Sequence, residues 1–447
     1  MRSWAAVLEL IRALLTRRLE PVHRLLLAQL VMFAGIAALF PVVPLYVRAH
    51  GGSSADIALF VAGPLVAGTL VQVPAGHLVD RVGRKPVLIG SRLVYAALSG
   101  GLFLNLGPLW LLALLRVGQG ASGGAYVPAL RAALADLTPA GQRGQRYAQL
   151  QACEMVGLLL GPAIGGAIAL WRYSGIFAAS GVAVLIGLGA VARMPETRGG
   201  DVESLSESPA SGRASAPAPD PAPAPGPAPA MAPAPGPGRA PSRWWLSAHL
   251  LVPSAGLAAA GVMFNMYDVV WPQYLSARGY DSLVIGLSIS FFALPILVLA
   301  RQGGRLSDRA DRRVLVPVAL TVVAACAATY PWLRSIYPIL AVGTAEALAV
   351  MVVEPTLFAA ISESTAASLR GRAMGVGGLF EAGGGAFGAG VLGALYGIAE
   401  PIPFLGGAAG CILAAAVCAR GLPGQPAGGG LQELRPPGIA RPEVDVV

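Results

Sequence analysis

Twelve runs of about twenty residues, almost free of Asp, Glu, Lys and Arg, occupy most of this 447-residue chain. A bilayer core about 30 Å thick takes roughly 20 apolar residues of helix, because backbone polar groups there have no water to bind. The runs are 25–47, 55–79, 87–106, 109–135, 147–170 and 174–193, then 247–275, 283–302, 314–332, 337–362, 373–398 and 402–419. Charged residues make up only 12% of the chain, about half of what a water-facing surface needs. A soluble enzyme and a wholly disordered chain are both excluded. The expected fold is an all-α integral membrane protein of twelve transmembrane helices.

The twelve runs fall into two sets of six. Between them, residues 194–242 carry the tract APAPDPAPAPGPAPAMAPAPGPG, which cannot pack and is expected to form an extended cytoplasmic spacer. This gives five segments. Residues 1–24 are expected to form an amphipathic helix on the membrane surface, with Trp4, Val7, Leu8, Ile11, Leu14 and Leu15 at helical spacing. They do not read as a signal peptide, because Glu9 and Arg12 interrupt the apolar stretch. Two six-helix bundles follow, at 25–193 and 243–420, and 421–447 is expected to be a disordered tail.

Charge fixes the expected orientation. With the N-terminus inside, 26 of the 32 Lys and Arg fall in cytoplasmic segments and only four in outer loops, leaving Arg92 and Arg116 within spans. The positive-inside rule then places both termini in the cytoplasm of a bacterial cell. The net charge of +9 therefore reflects topology and not nucleic-acid binding. Trp110, Trp171, Trp244, Trp245, Trp271 and Trp332 lie near run ends and are expected to form an interfacial belt. Arg92 is expected to snorkel. The four cysteines lie in apolar runs without metal or redox spacing.

The two halves repeat. At an offset of 228, Pro44, Tyr46 and Gly51 fall on Pro272, Tyr274 and Gly279, and GHLVDRVGRK (76–85) falls on GRLSDRADRR (304–313). At 227, Pro128 meets Pro355, Arg143 meets Arg370 and Glu154 meets Glu381. Parallel six-helix repeats imply two pseudo-symmetric bundles with a site between them near the midplane.

Four motifs stand out. The loop after run two has Gly76, Asp80, Arg81, Gly83, Arg84 and Lys85, with Gly304, Asp308 and Arg309 in the second copy. A tight turn there needs Gly76 and Gly83, and Asp80 is placed to pair with an arginine or to cap a neighbouring helix. Run four holds Arg116, Gln119 and Gly120. An arginine in hydrocarbon is costly enough to be functional. Run five holds Gly157, Gly161, Pro162, Gly165 and Gly166, whose small residues permit close helix approach. Run one holds Pro41 and Pro44 in a P-x-x-P segment. Together these resemble the major facilitator superfamily, and the run-five pattern is similar to that of its twelve-span drug:proton antiporters. The resemblance implies that Asp80 belongs to a cytoplasmic gate stabilising an outward-facing state.

Intramembrane acids are few. Glu346 and Asp268 are the expected proton carriers, with Arg116 as electrostatic partner and Glu154 and Glu381 as further candidates. Glu354 is expected to face water or bond within its bundle. Glu346 occupies the repeat position of Gln119, so spans four and ten should present these groups to a shared cavity from opposite bundles. The expected activity is proton-coupled export of small amphipathic compounds by a monomer, with no metal or cofactor. An uptake carrier for sugars or other polar metabolites is the alternative. ATP drive is excluded because no P-loop is present, and metalloprotease chemistry because no H-E-x-x-H is present.

Overall fold

The structure is a computed structural model describing residues 21–139, 142–194, 196, 247–365 and 369–422. Residues 21–24 of the expected surface segment 1–24 belong to the first membrane helix; residues 1–20, most of the Pro/Ala spacer and the tail from 423 lie outside the described residues. So do the side chains of Arg143, Arg301 and Asp308.

Twelve helical passes are found, in the places the apolar runs predict. Span one is Pro21–Ala37 continued by Val43–Ala49; spans two to six are Ser54–Val82, Arg84–Phe103, Leu109–Asp136, Arg143–Ala169 and Gly175–Ala192. Spans seven to twelve are Ala248–Ser276, Ser282–Arg309, Arg312–Thr329, Ile336–Ser364, Arg370–Phe387 and Pro401–Gly421. Span nine ends in a 3₁₀ turn, Tyr330–Trp332, and span eleven continues through a π turn, Gly388–Leu392.

Span one is broken, which its hydropathy does not reveal. Pro41 and Pro44 lack N–H groups, and residues 38–42 become turns closed by Leu39 to Ile36 and Phe40 to Ala37 bonds of 3.1 and 3.2 Å. Span seven has Val269 where span one has Pro41, and it stays continuous.

The pairing of spans repeats with a shift of six. Spans one and five pair as seven and eleven do; two and four match eight and ten; three and six match nine and twelve. The bundles meet where span five packs on span eight and span two on span eleven.

Local devices repeat as well. Gly51 and Gly279 turn the chain at φ +77° and +84°, and each precedes a cap: Ser53 accepts from Asp56 N at 3.2 Å, and Asp281 from Val284 N at 2.9 Å. Arg84 pairs with Asp136 at 2.8 Å, and Arg312 pairs with Glu363 at the matching position.

The aromatic belt is correct only in part. Trp110, Trp171 and Trp332 are exposed at span ends, but Trp271 is buried and donates to Ser288 Oγ at 2.9 Å. Trp244 and Trp245 lie outside the described residues. Arg92 does not snorkel. It is 3% exposed, with its guanidinium 3.4 Å from the Tyr126 ring centroid, a cation–π contact that holds the charge inside the first bundle.

Candidate functional site

Each motif can be followed from sequence to place. In the loop between spans two and three, only Gly83 serves a turn, at φ +107°. Gly76 and Gly304 lie inside helices with open space beside them, so the tight-turn reading fails for Gly76. A helix needs its first N–H groups satisfied, and Gly83 has no side chain to do it. Glu196, arriving from beyond span six, does it instead, accepting from Arg84 N at 3.0 Å and Lys85 N at 3.2 Å. In the second copy Asp311 replaces Gly83 and caps its own helix through Arg313 N at 3.0 Å. Asp80, Arg81 and Arg309 are exposed.

The span-five motif builds two backbone contacts. Gly161 and Gly165 face span one, where a Cβ would strike the carbonyls of Ala34 and Ala38, and Gly157 meets Ala34 N. Gly166 turns to the other bundle, against the Ser282 carbonyl, and Gly286 of span eight meets the Pro162 carbonyl in return. Ser282 Oγ donates to Gly166 O at 2.9 Å, and Ala163 N donates to Ser290 Oγ at 3.2 Å. Gly286 belongs to no motif noted in the sequence. In span four, Gly120 plays the same close-packing part against Pro64 of span two.

Arg48 Nη2 donates to Ser54 Oγ at 2.9 Å and across the bundles to Gln273 Oε1 at 3.0 Å. With the span-five seam, these bonds tie the bundles at the end opposite the basic loops. Among the described residues, no hydrogen bond or ion pair joins them at the basic end.

A cavity of about 170 Å³ lies between the bundles, lined by Phe40 and Leu158 of the first and mainly by the second. Its walls are aromatic: Trp271 stands edge-on to Phe292 and Tyr330, each at 5.2 Å, and Tyr267 edge-on to Tyr330 at 6.0 Å. Asp268 and Glu346 both line it, so the two favoured acids are brought together.

Their partners differ from expectation. Glu346 is 6% exposed, and its two oxygens accept from Tyr267 and Tyr330 hydroxyls, each at 2.7 Å. Arg116 makes no ion pair with Asp268 among the described residues and acts on it only at longer range; it donates to Gln119 Oε1 at 3.0 Å. Gln119 bonds Ser99 of span three at 2.7 Å and is buried there, so span four does not present it to the cavity as the repeat predicted. Glu154 accepts from Gln29 at 2.9 Å and stays in the first bundle. Glu381 and the exposed Glu354 face one another toward the basic end. Sequence reasoning missed Tyr267, Tyr330 and Glu196, since ordinary tyrosines and a linker acid carry no spacing signal.

The repeat exposes an electrical asymmetry. Asp268 and Glu346 sit where the first half has Phe40 and Gln119, while Arg116 sits where the second half has Gly343. One half therefore brings two anions to the interface and the other a cation.

Twelve spans in two related bundles, meeting around a buried cavity, define a membrane transporter. The chain belongs to the Major Facilitator Superfamily, whose family model matches residues 25–389 and 254–437. Among its relatives is the Quinolone resistance protein NorA of Staphylococcus aureus, 30% identical over 138 residues, which are 31% of this chain and 35% of that protein. The Multi-drug resistance efflux pump PmrA homolog of Lactococcus lactis is 30% identical over 142 residues, again 31% and 35% of the two chains. The matched region thus spans about a third of the length of these curated relatives. Among solved structures, an inward-facing, occupied bacterial homolog of the human lysosomal transporter Spinster superposes with a TM-score of 0.70 at 14% identity, covering 89% of this chain and 95% of that one. A D-xylose-proton symporter gives 0.67 at 15% identity, covering 90% and 97%. At such identities these structures share the fold.

Proposed function

We propose that the chain exports small amphipathic compounds in exchange for protons, as a monomer in the bacterial cytoplasmic membrane with both termini inside. The observation that carries this is the aromatic-walled cavity holding Asp268 and Glu346. A carboxylate in such a place is neutral when it holds a proton and attracts a cationic group when it does not. One site thereby exchanges proton for cargo as access alternates, with the proton gradient as the only energy source and no cofactor.

With the basic loops cytoplasmic, the seam of spans five and eight lies on the outer side. The names of the staphylococcal and lactococcal relatives, quinolone resistance and multidrug efflux, support export. Sugar uptake finds less support, because a polyhydroxylated ring needs many hydrogen-bonding walls, and these walls are mostly hydrocarbon and aromatic. The test is efflux of preloaded ethidium from cells expressing the protein. Collapse of the proton gradient should abolish it, and efflux that persists would end the proton-driven reading.

A further inference from the structure

We infer that Tyr267 and Tyr330 are positioning residues that hold Glu346 as a charged carboxylate until a proton arrives, so that proton binding is coupled to movement of span seven. This deepens the proposed function and rests on that reading.

The geometry is a two-armed clamp. Each carboxylate oxygen of Glu346 accepts one tyrosine hydroxyl, at 2.7 and 2.7 Å. Two O–H donors suit an acceptor-only carboxylate. A protonated acid carries a donor of its own, so one tyrosine must turn its hydroxyl or let go.

Both arms lead to span seven. Tyr330 sits on the 3₁₀ turn closing span nine, and its carbonyl accepts from Tyr274 O–H at 2.7 Å. The same turn is fastened by Arg278, which donates to Leu333 O at 2.7 Å and pairs with Glu400 at 2.6 Å. Tyr267 lies in mid-span seven itself, next to Asp268 and less than two turns before Gln273, which receives Arg48 of the other bundle. Tyr274 lies in span seven and Arg278 just past its end, so Tyr330 is joined to that helix as well. Release at Glu346 of span ten therefore acts on span seven, which carries one of the bonds that tie the bundles.

The other titratable groups facing Glu346 are Cys326 of span nine and Cys411 of span twelve. Asp268 lines the same cavity from span seven, span eight contributes apolar Phe292, and the span-eleven acid, Glu381, is not part of the cavity lining.

The test needs no transported substrate. In purified full-length protein, the infrared carbonyl stretch of protonated Glu346 is assigned by its loss in Glu346→Gln and followed against pH. Tyr267→Phe and Tyr330→Phe each remove a donor to the charged form, so each should move the midpoint to higher pH by about one unit, as expected for a hydrogen bond to a charged group. Tyr46→Phe, which removes a buried tyrosine hydroxyl bonded to Asn105 in the first bundle, should leave the midpoint in place. Inter-bundle distances between spin labels should then follow the same shifted midpoint in both variants. A midpoint unmoved by either substitution, or a Glu346 band absent at every pH, overturns the clamp. The ethidium assay separately decides whether protons drive export, so the two failures are distinguishable.

Discussion

The carboxylate of Glu196 lies 3.1 Å from where a Cβ on Gly83 would stand. The glycine is thus required twice, by its φ of +107° and by the acid that caps the helix beginning at Arg84. Gly83→Ala should cost about 1–3 kcal/mol for the strained backbone, before the displaced cap is counted. Thermal unfolding of the purified protein measures it, with Glu196→Gln as a milder companion. A Gly83→Ala protein that melts with the wild type would refute the account.

Asp80 is exposed, with no hydrogen-bond or ion-pair partner among the described residues. Asp80→Asn should therefore leave the stability of this structure unchanged and, if the acid gates as the family resemblance implies, lower transport several-fold by weakening the outward-facing form. Equal transport rates in correctly inserted mutant and wild type would remove Asp80 from the gate.

A Cβ on Gly286 would overlap the carbonyl of Pro162, and a longer side chain would wedge the bundles apart. Gly286→Leu is predicted to shift the population toward the form open on the outer side. Accessibility of a cysteine placed at Phe40, in a background lacking the four native cysteines, reports this through an impermeant outer reagent. Unchanged labelling would show that the seam does not close the outer path.

Glu346→Gln fixes the neutral form of one carrier and Asp268→Asn that of the other. Each should abolish uphill export while sparing downhill exchange of an uncharged substrate. Asp268→Asn should also leave Arg116 facing no anion and lower thermal stability, an effect Glu346→Gln lacks. If both variants keep full uphill export, Glu154 becomes the next carrier to consider.

What could be read beforehand follows a physical division. Whether a stretch crosses a membrane is decided by its own apolar length, so all twelve spans were legible, as was the repeat through the charged loop at 76–85. What a side chain meets is decided by the face it turns to another helix. Arg92 illustrates the limit: its place near a span end suggested snorkelling, yet its contact with Tyr126, 34 residues away, keeps it inside. The acids of the cavity were legible because charge in hydrocarbon is rare. The tyrosines that hold Glu346 were not, because buried tyrosine is common. Pro41 and Pro44 were noticed as a motif, but hydropathy is blind to a missing N–H and gave no break.

The seam between spans five and eight has a consequence for how the bundles part. Its contacts are main chain lying on main chain, with two hydrogen bonds and no ion pair among the described residues. Only the hydroxyls of Ser282 and Ser290 must find new partners and no charge is resolvated when it separates, so the two faces come away like flat plates, held mainly by fit. Fit is insensitive to ionic strength, whereas attraction between charges is screened within about 10 Å at 0.1 M salt. The seam should therefore keep its strength in brine, and salt should act on the transport cycle through charged groups outside it, Arg48 among them.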